Sequence, residues 1–419
     1  MAHVLLVSWG SFGDINPFIG LGRQLRARGH RTTLIANQYF EPIARSEGLD
    51  FAPMGSADAY YESSRDPDFW NPQMAGIALT RHVVKSVLQG IRRIEELQGD
   101  DTIIIGSRWA LAAPIASEKF RLPVYTLLLN LTSLLSVYSP AKLPGVLFPK
   151  QLDSSARSQV FDALEQWLAG YLKGPLNKVR AQLGLPPIAD LSECWNKSDY
   201  LLAAWPDWLY SRQIDWPDRA MTVGFIAYDG PPTDPAKILN LKKFRKRPLV
   251  FTAGTAMPHA ADFYRAAVGA CLFLKRPGIL LTRYKEQLPD HLPELVCHME
   301  YYPLNELLSN SAALIHHGGI GTSAAGLRAG IPQVIIPIAH DQFENAQRLT
   351  DLGVASTLDR AILSPAMLGL NILAMLNSRS IAAQCLHWAQ QMQQQDGTQE
   401  VCRLIEEIEI RKPKLKIVS

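Results

Sequence analysis

Cysteine is scarce in this chain. The five residues, Cys194, Cys271, Cys297, Cys385 and Cys402, form no CxxC pair and keep no metal-ligand spacing to a histidine. That argues against a disulfide framework or a structural zinc site and suits a reducing compartment. An excess of one charge is also lacking: Lys and Arg number 42, Asp and Glu 39, and the net charge is +3. Nothing here makes an overall electrostatic case for nucleic acid. Long uninterrupted apolar runs are missing too. Residues 122–137 are the most apolar, yet they contain Asn130 and several Ser and Thr, too polar for a membrane span. The apolar N-terminus is broken from Gly10 to Asp14, so it reads as a first strand and not as a signal peptide. No low-complexity segment is found. Composition is that of an ordinary globular protein, 47% hydrophobic and 19% charged over 419 residues, and the length predicts two or three domains. The expectation is a soluble cytoplasmic protein.

The densest chemistry lies in residues 312–346, AALIHHGGIGTSAAGLRAGIPQVIIPIAHDQFENA. An apolar run, Ala312 to Ile315, predicts a buried strand. His316 and His317 follow, then Gly318, Gly319, Gly321 and Thr322. Small residues from Ser323 to Ala329 predict a helix stopped by Gly330 and Pro332. A second strand, Gln333 to Ile338, delivers His340, Asp341 and Gln342. A strand, a glycine turn and a helix N-terminus make an anion site, because free backbone N–H groups and the helix dipole point at the ligand. Polar groups after the next strand can read whatever is attached to that anion.

The rest of the chain alternates in the same way. His3 to Trp9 predicts a strand buried on both faces, and Ile15 to Arg28 an amphipathic helix. Thr32 to Ala36 completes a βαβ unit whose turn, Gly10 to Asp14, lies where open α/β sheets bind ligands. Residues 52–72, rich in Tyr, Asp, Ser and Pro, read as a long loop. Helices are predicted over Ile77–Gln98, Ala110–Glu118 and Ala156–Leu183. Strands are predicted over Thr102–Gly106, Val124–Leu129, Tyr200–Ala204 and Thr222–Val223. The Pro- and Gly-rich residues 229–236 read as a linker. Beyond it, strands Pro248–Thr252 and Gly278–Thr282 and helix Ala261–Phe273 restart the alternation. The chain ends in helices Pro365–Asn377, Ser380–Gln394 and Gln399–Ile410 and a basic tail.

Glycine turns at Gly10–Asp14, Gly254–Thr255 and His317–Thr322 each follow a predicted strand. One such turn is a common tight turn; three at equivalent places point to a cleft between two α/β halves. Gly319-Ile320-Gly321-Thr322-Ser323-Ala324 also fits the dinucleotide pattern G-x-G-x-x-A, with Asp341 as a candidate ribose carboxylate, so a nicotinamide enzyme is a rival. Against it, the motif falls late in the chain, where that pattern normally marks the first βαβ unit.

Residues 301–346 resemble the donor-binding signature of GT-B glycosyltransferases, the superfamily of UDP-glucuronosyl and natural-product glycosyltransferases. The opening Trp9-Gly10-Ser11-Phe12-Gly13-Asp14-Ile15-Asn16-Pro17 is similar to their acceptor-side start. With Gly106 to Leu111, Asp215-Trp216-Pro217 and Phe251 to Thr255, the whole resembles most the bacterial rhamnosyltransferase B chains of rhamnolipid synthesis. The resemblance implies two Rossmann-like doubly wound domains facing across a cleft: residues 1–228 for the acceptor, 237–396 for the nucleotide sugar, and 397–419 as a helix crossing back plus the tail. It implies that His317, Gly319, Gly321, Thr322 and Thr255 hold the donor diphosphate. It implies that Tyr301 stacks on the base, with Leu304 where plant members often carry Gln, and that Asp341 and Gln342 bind sugar hydroxyls. Asp14 stands where many relatives carry histidine, and there it implies the base that takes the acceptor proton. As a residue it also suits an N-cap for the helix starting at Ile15.

Gly13, Arg108 and Trp109 are expected at the acceptor, Trp109 alternatively in the core. No metal and no cofactor beyond the nucleotide sugar are expected, and no protein partner. Asp66-Pro67-Asp68 spells a DxD, read here as turn chemistry. His316 reads as a packed or capping residue. His340 either reaches the sugar or ends its strand. The run Lys242 to Arg247 is a solvated face or touches anionic headgroups. Trp70, Trp167, Tyr171 and residues 127–135 line a greasy acceptor tunnel or belong to the core. The favoured reaction moves L-rhamnose from dTDP-L-rhamnose to a hydroxyalkanoyl lipid. NDP-glucose with another hydrophobic acceptor, a sugar-nucleotide epimerase and a non-catalytic binding partner remain alternatives.

Overall fold

The computed structural model describes residues 1–143, 152–195, 197–228, 230 and 246–411, with the last helix's side chains described to residue 407. The unbroken apolar strands seen in the sequence become the centres of two parallel sheets. In the first, β1 (His3–Val7), β2 (Arg31–Ala36), β3 (Asp50–Pro53), β4 (Thr102–Ser107), β5 (Val124–Leu128), β6 (Tyr200–Ala203) and β7 (Ala220–Thr222) lie in the order 3-2-1-4-5-6-7. In the second, β8 (Leu249–Thr252), β9 (Gly278–Leu281), β10 (Val296–Met299), β11 (Ala313–His316), β12 (Gln333–Ile335) and β13 (Ala355–Thr357) lie in the order 10-9-8-11-12-13. Both are doubly wound, Rossmann-like sheets.

β1 shows why such strands read as continuous apolar runs. Val4 and Leu6 pack on the face covered by helix Phe12–Ala27, while Leu5 and Val7 pack on the opposite face under helix Ala75–Leu97. The helix Gly397–Arg411 returns to the first sheet, where Val401, Cys402 and Ile405 are fully buried in its core. A further cluster joins the two sheets directly: Leu128, Leu131, Trp205, Tyr210 and Trp216 from the first half pack with Ala324, Leu327, Ile335 and Leu349 from the second. Trp208 stacks on Trp388 beside it, ring centroids 4.8 Å apart.

Chain order reverses between β1 and β4 in the first sheet and between β8 and β11 in the second. Ligands of open α/β sheets bind outside the strand carboxyl ends at such points, and the glycine turns follow β1, β8 and β11.

Several expectations are corrected. The first helix begins at Phe12, three residues before Ile15, because Ser11 caps it. Residues 52–72 are not a loop: they hold helix Ala57–Arg65, in which Tyr60 packs inward, and a 3-10 turn Pro67–Trp70. Tyr60 stacks on Tyr39 at 4.2 Å and meets Phe40 edge-on at 5.2 Å. β10 and β13, and helices Leu304–Leu308 and Gln342–Asp351, were not foreseen. Of the expected linker only Gly230 is described, and of the basic run only Lys246 and Arg247, both exposed. Among the described residues no single helix is long and apolar enough to cross a membrane.

Candidate active site

The two sheets meet at one cavity of about 1590 Å³. A single small-molecule site usually takes ~300–1,000 Å³, so this one has room for two substrates. Gly13, Asp14, Arg108 and Trp109 line it from the first half. Thr255, Tyr301, Leu304, His317, Gly319, Gly321, Thr322, Asp341 and Gln342 line it from the second.

The turn after β1 is built around Asp14. Ser11 is the N-cap, its hydroxyl accepting from the Gly13 N–H at 3.2 Å, and the Asp14 carboxylate closes a capping box. Asp14 Oδ2 accepts from the Ser11 N–H at 2.8 Å and from its hydroxyl at 3.2 Å. So Asp14 is the third helical residue and not the cap. Gly10 has φ +137°, and a Cβ there would lie 2.2 Å from Asp14 Oδ2. Burial pushes the Asp14 carboxyl up to about 6; the Ser11 N–H opposes this, and the charge of Asp341 adds to it. Two carboxylates, one from each half, therefore face the same space.

One strand over, the Trp9 N–H donates to Ser107 Oγ at 3.3 Å and ties this turn to the end of β4. There the Arg108 guanidinium lies 4.1 Å from the centre of the Trp195 ring, which Trp109 meets edge-on at 5.9 Å. Burial lowers Arg108 to about 10, against the pull of Glu165. Trp70, Trp167, Leu129 and Leu135 also line this side. Tyr171 does not; it packs edge-on against Trp167 at 5.6 Å and is exposed. Leu127, Leu128 and Leu131 are core.

On the other side helix Ile320–Ala329 starts with no side-chain cap. Its first N–H groups therefore face the cavity unclaimed, as an anion site requires. The His317 ring lies against two glycine backbones: a Cβ on Gly319 would be 2.5 Å from its Nε2, and one on Gly254 would be 3.0 Å away. Any larger residue at either place would displace the ring. Burial lowers His317 to about 4, against a smaller upward effect of the Thr252 backbone, so the ring is neutral. Its Nδ1 is buried without a hydrogen bond. His316 is instead part of the frame: Nδ1 accepts from the Gly318 N–H at 3.1 Å, and Nε2 pairs with Gln333 Oε1 at 3.0 Å.

Past β12, Asp341 begins helix Gln342–Asp351. Asp341 Oδ2 accepts from Asn345 Nδ2 at 2.7 Å, and the same amide donates to the Gly318 carbonyl at 2.9 Å. Asn345 thus joins the candidate sugar turn to the candidate phosphate turn. The Gln342 carbonyl oxygen faces inward, accepting from the Ile338 and Ala339 N–H groups at 2.7 and 3.0 Å. Only its NH₂ group is left for a ligand, which narrows the role expected of it. The Tyr301 ring is half-exposed, and its hydroxyl reaches the Gly230 backbone so closely that a Cβ there would overlap it.

Three contributors escaped the sequence reading. Ser11 was legible from its Ser-x-x-Asp spacing. Asn345 follows Asp341 by one helical turn, a signal available only once that helix is known. Arg283, in the turn after β9, hydrogen-bonds the Tyr39 hydroxyl and lies 4.8 Å over the Phe12 ring, the first residue of the Asp14 helix. No local pattern marks it. Asp66 and Asp68 build a turn, as read: Asp66 Oδ1 accepts from the Asp68 N–H at 3.0 Å, and Oδ2 pairs with His82 at 2.9 Å.

Comparison with known proteins agrees with this geometry. Residues 4–127 match the glycosyltransferase family 28 N-terminal domain, and residues 278–408 match the erythromycin biosynthesis protein CIII-like C-terminal domain. The chain is 25% identical over 430 residues to the O-mycaminosyltylonolide 6-deoxyallosyltransferase of Streptomyces fradiae, covering 97% of each. It is 23% identical to the sterol 3-beta-glucosyltransferase of Leptosphaeria maculans, over 96% of this chain and 28% of that longer protein. The fold matches the glycotransferase of kitacinnamycin with a TM-score of 0.74 at 21% identity, covering 97% and 98% of the two chains. It matches the spinosyn rhamnosyltransferase SpnG complexed with thymidine diphosphate with a TM-score of 0.69 at 18% identity, covering 98% and 100%. The fold is that of GT-B enzymes, and the chain is a glycosyltransferase.

Proposed function

We propose that this glycosyltransferase moves a sugar, with inversion, from a nucleoside diphosphate to a hydroxyl of a hydrophobic acceptor. L-Rhamnose from dTDP-L-rhamnose and a hydroxyalkanoyl lipid are the favoured pair. The observation that carries the reading is the opposition of Asp14 and Asp341 across one cavity, with the His317 turn beside Asp341. Asp14 takes the proton of the acceptor hydroxyl as its oxygen attacks the anomeric carbon. The bond from that carbon to the diphosphate breaks, and the nucleoside diphosphate leaves with the electron pair. Charge growing on the leaving oxygen meets the uncapped helix N-terminus at Gly319 and the His317 ring. Thr255 and Thr322 add hydroxyls, Tyr301 and Leu304 face the base, and Asp341 holds the sugar. This scheme needs neither a metal nor a further cofactor.

The acceptor half supports a greasy substrate: Trp109, Phe161, Leu164, Leu168 and Trp195 share its wall. A thymidine diphosphate complex of a rhamnosyltransferase with the same fold supports the donor. The sterol glucosyltransferase relatives favour a second reading, glucose transfer to another lipid or natural product.

The test is a mass-spectrometric panel of dTDP- and UDP-sugars against hydroxyalkanoyl lipids, sterols and aromatic alcohols, with thermal stabilisation by the same donors and by NAD(P). Rhamnosylated lipid from dTDP-L-rhamnose is expected. Stabilisation by NAD(P) alone would overturn the reading.

A further inference from the structure

We propose that His340 is a sugar-hydroxyl ligand, seated by the Pro67–Trp70 turn of the opposite half, and that it partners Asp341 where the Gln342 carbonyl oxygen is turned away. This rests on the glycosyl-transfer reading of the same cavity.

Four observations converge. First, His340 has φ +59°, a left-handed conformation uncommon in a residue with a Cβ and typical of functional turns. Second, its Nε2 is buried and meets no partner at hydrogen-bonding geometry, the Phe69 backbone interacting only weakly with the ring, although the residue lines the cavity. A buried polar atom without a partner is costly and calls for one. Third, both lone pairs of Gln342 Oε1 are engaged by the Ile338 and Ala339 N–H groups, and Asp341 Oδ2 is engaged by Asn345. That leaves Asp341 Oδ1, the Gln342 NH₂ group and His340 Nε2 for a ligand, on three consecutive residues that line the cavity. Fourth, burial lowers the His340 imidazole to about 4, against a smaller upward effect of the Phe69 backbone, so the ring is neutral at pH 7. A neutral ring carries one N–H and one lone pair. A hydroxyl, able to donate and accept, suits Nε2 in either tautomer; a phosphate would select a charged ring or an N–H.

The seat comes from the acceptor half. Phe69 lies 4.8 Å and Trp70 5.8 Å from the His340 ring. Their turn is locked by Asp66, through the Asp68 N–H and His82, and by Trp70 Nε1 donating to the Ser64 carbonyl at 2.8 Å. The DxD of the sequence thus has work that involves no metal: it fixes the aromatic pair against which the sugar-side histidine rests. Sugar recognition is therefore shared by both halves.

The test is titration calorimetry of the full chain with dTDP and dTDP-L-rhamnose, and with UDP and UDP-glucose, in the absence of acceptor. His340→Phe keeps the ring volume and removes both nitrogens. It is expected to bind the free diphosphate like wild type while losing about tenfold in affinity for the preferred nucleotide sugar. His340→Gln, which still pairs with a hydroxyl, is expected to recover part of that loss and guards against a folding defect in the first variant. Equal losses for diphosphate and nucleotide sugar, or no loss, would overturn the inference. Failure of the underlying reading looks different: wild type itself would bind no nucleotide sugar, and the inference would fall with it.

Discussion

Gly10 leaves empty the space that the Asp14 carboxylate occupies; a methyl group at Gly10 would lie 2.2 Å from Asp14 Oδ2. The glycine in the first turn is thus a steric condition on the carboxylate and not a phosphate cradle. Gly10→Ala also meets an unfavourable φ of +137°. We expect it to lower kcat by roughly 10²–10⁴, the range for loss of a general base, while the protein still folds. Rates beside a thermal melt check this. A folded Gly10→Ala enzyme with wild-type kcat would remove Asp14 from the mechanism.

The Asp14 carboxyl, raised to about 6, makes two pH predictions. Activity of wild type should fall about tenfold per pH unit below that value as the base becomes protonated. Stability runs the other way. With a folded value above the unfolded one of roughly 3.9, the carboxyl's stabilising contribution is full below pH 4 and is lost as pH rises through 6. Asp14→Asn carries no such dependence. It should be nearly inactive, and its melting temperature relative to wild type should be higher at pH 8 than at pH 4. Profiles of kcat/KM and melts at both pH values decide the matter.

Asn345 is buried and holds both Asp341 and the Gly318 carbonyl. Asn345→Ala should cost about 1–3 kcal/mol of stability, since it leaves a buried carbonyl without a donor. Donor affinity should fall as well. Asn345→Asp should be worse, because it sets a second carboxylate against Asp341. Urea unfolding and donor titration of both variants give the comparison; equal behaviour of Ala and Asp would show that Asp341 is not held this way.

Much of this site was legible because its chemistry is local. A strand, a glycine turn and a helix start are contiguous in the chain, so His317 to Thr322 could be read directly, and the long apolar strands marked both sheet centres. β10, Val-Cys-His-Met, and β13, Ala-Ser-Thr, lie at sheet edges, where one side needs no apolar run, and they left no pattern to read. The segment 52–72 misled because Tyr, Ser and Asp suit loops, yet Tyr60 and Ser64 lie one helical turn apart and are both buried. The orientation of Gln342 could not be read at all. It depends on how the backbone from Ile338 to Ala339 bends back toward the helix, which only the folded chain reveals.

The two sheets share a packed cluster at one side and divide the reacting groups between them. In the proposed reaction this division is a safeguard. An activated sugar docked on the second sheet lacks the proposed base, since Asp14 belongs to the first sheet, as do Phe69 and Trp70, which seat His340. Water that reaches a half-formed complex finds the leaving group without Asp14 to activate it, so the arrangement protects the donor from wasteful hydrolysis until both halves are engaged.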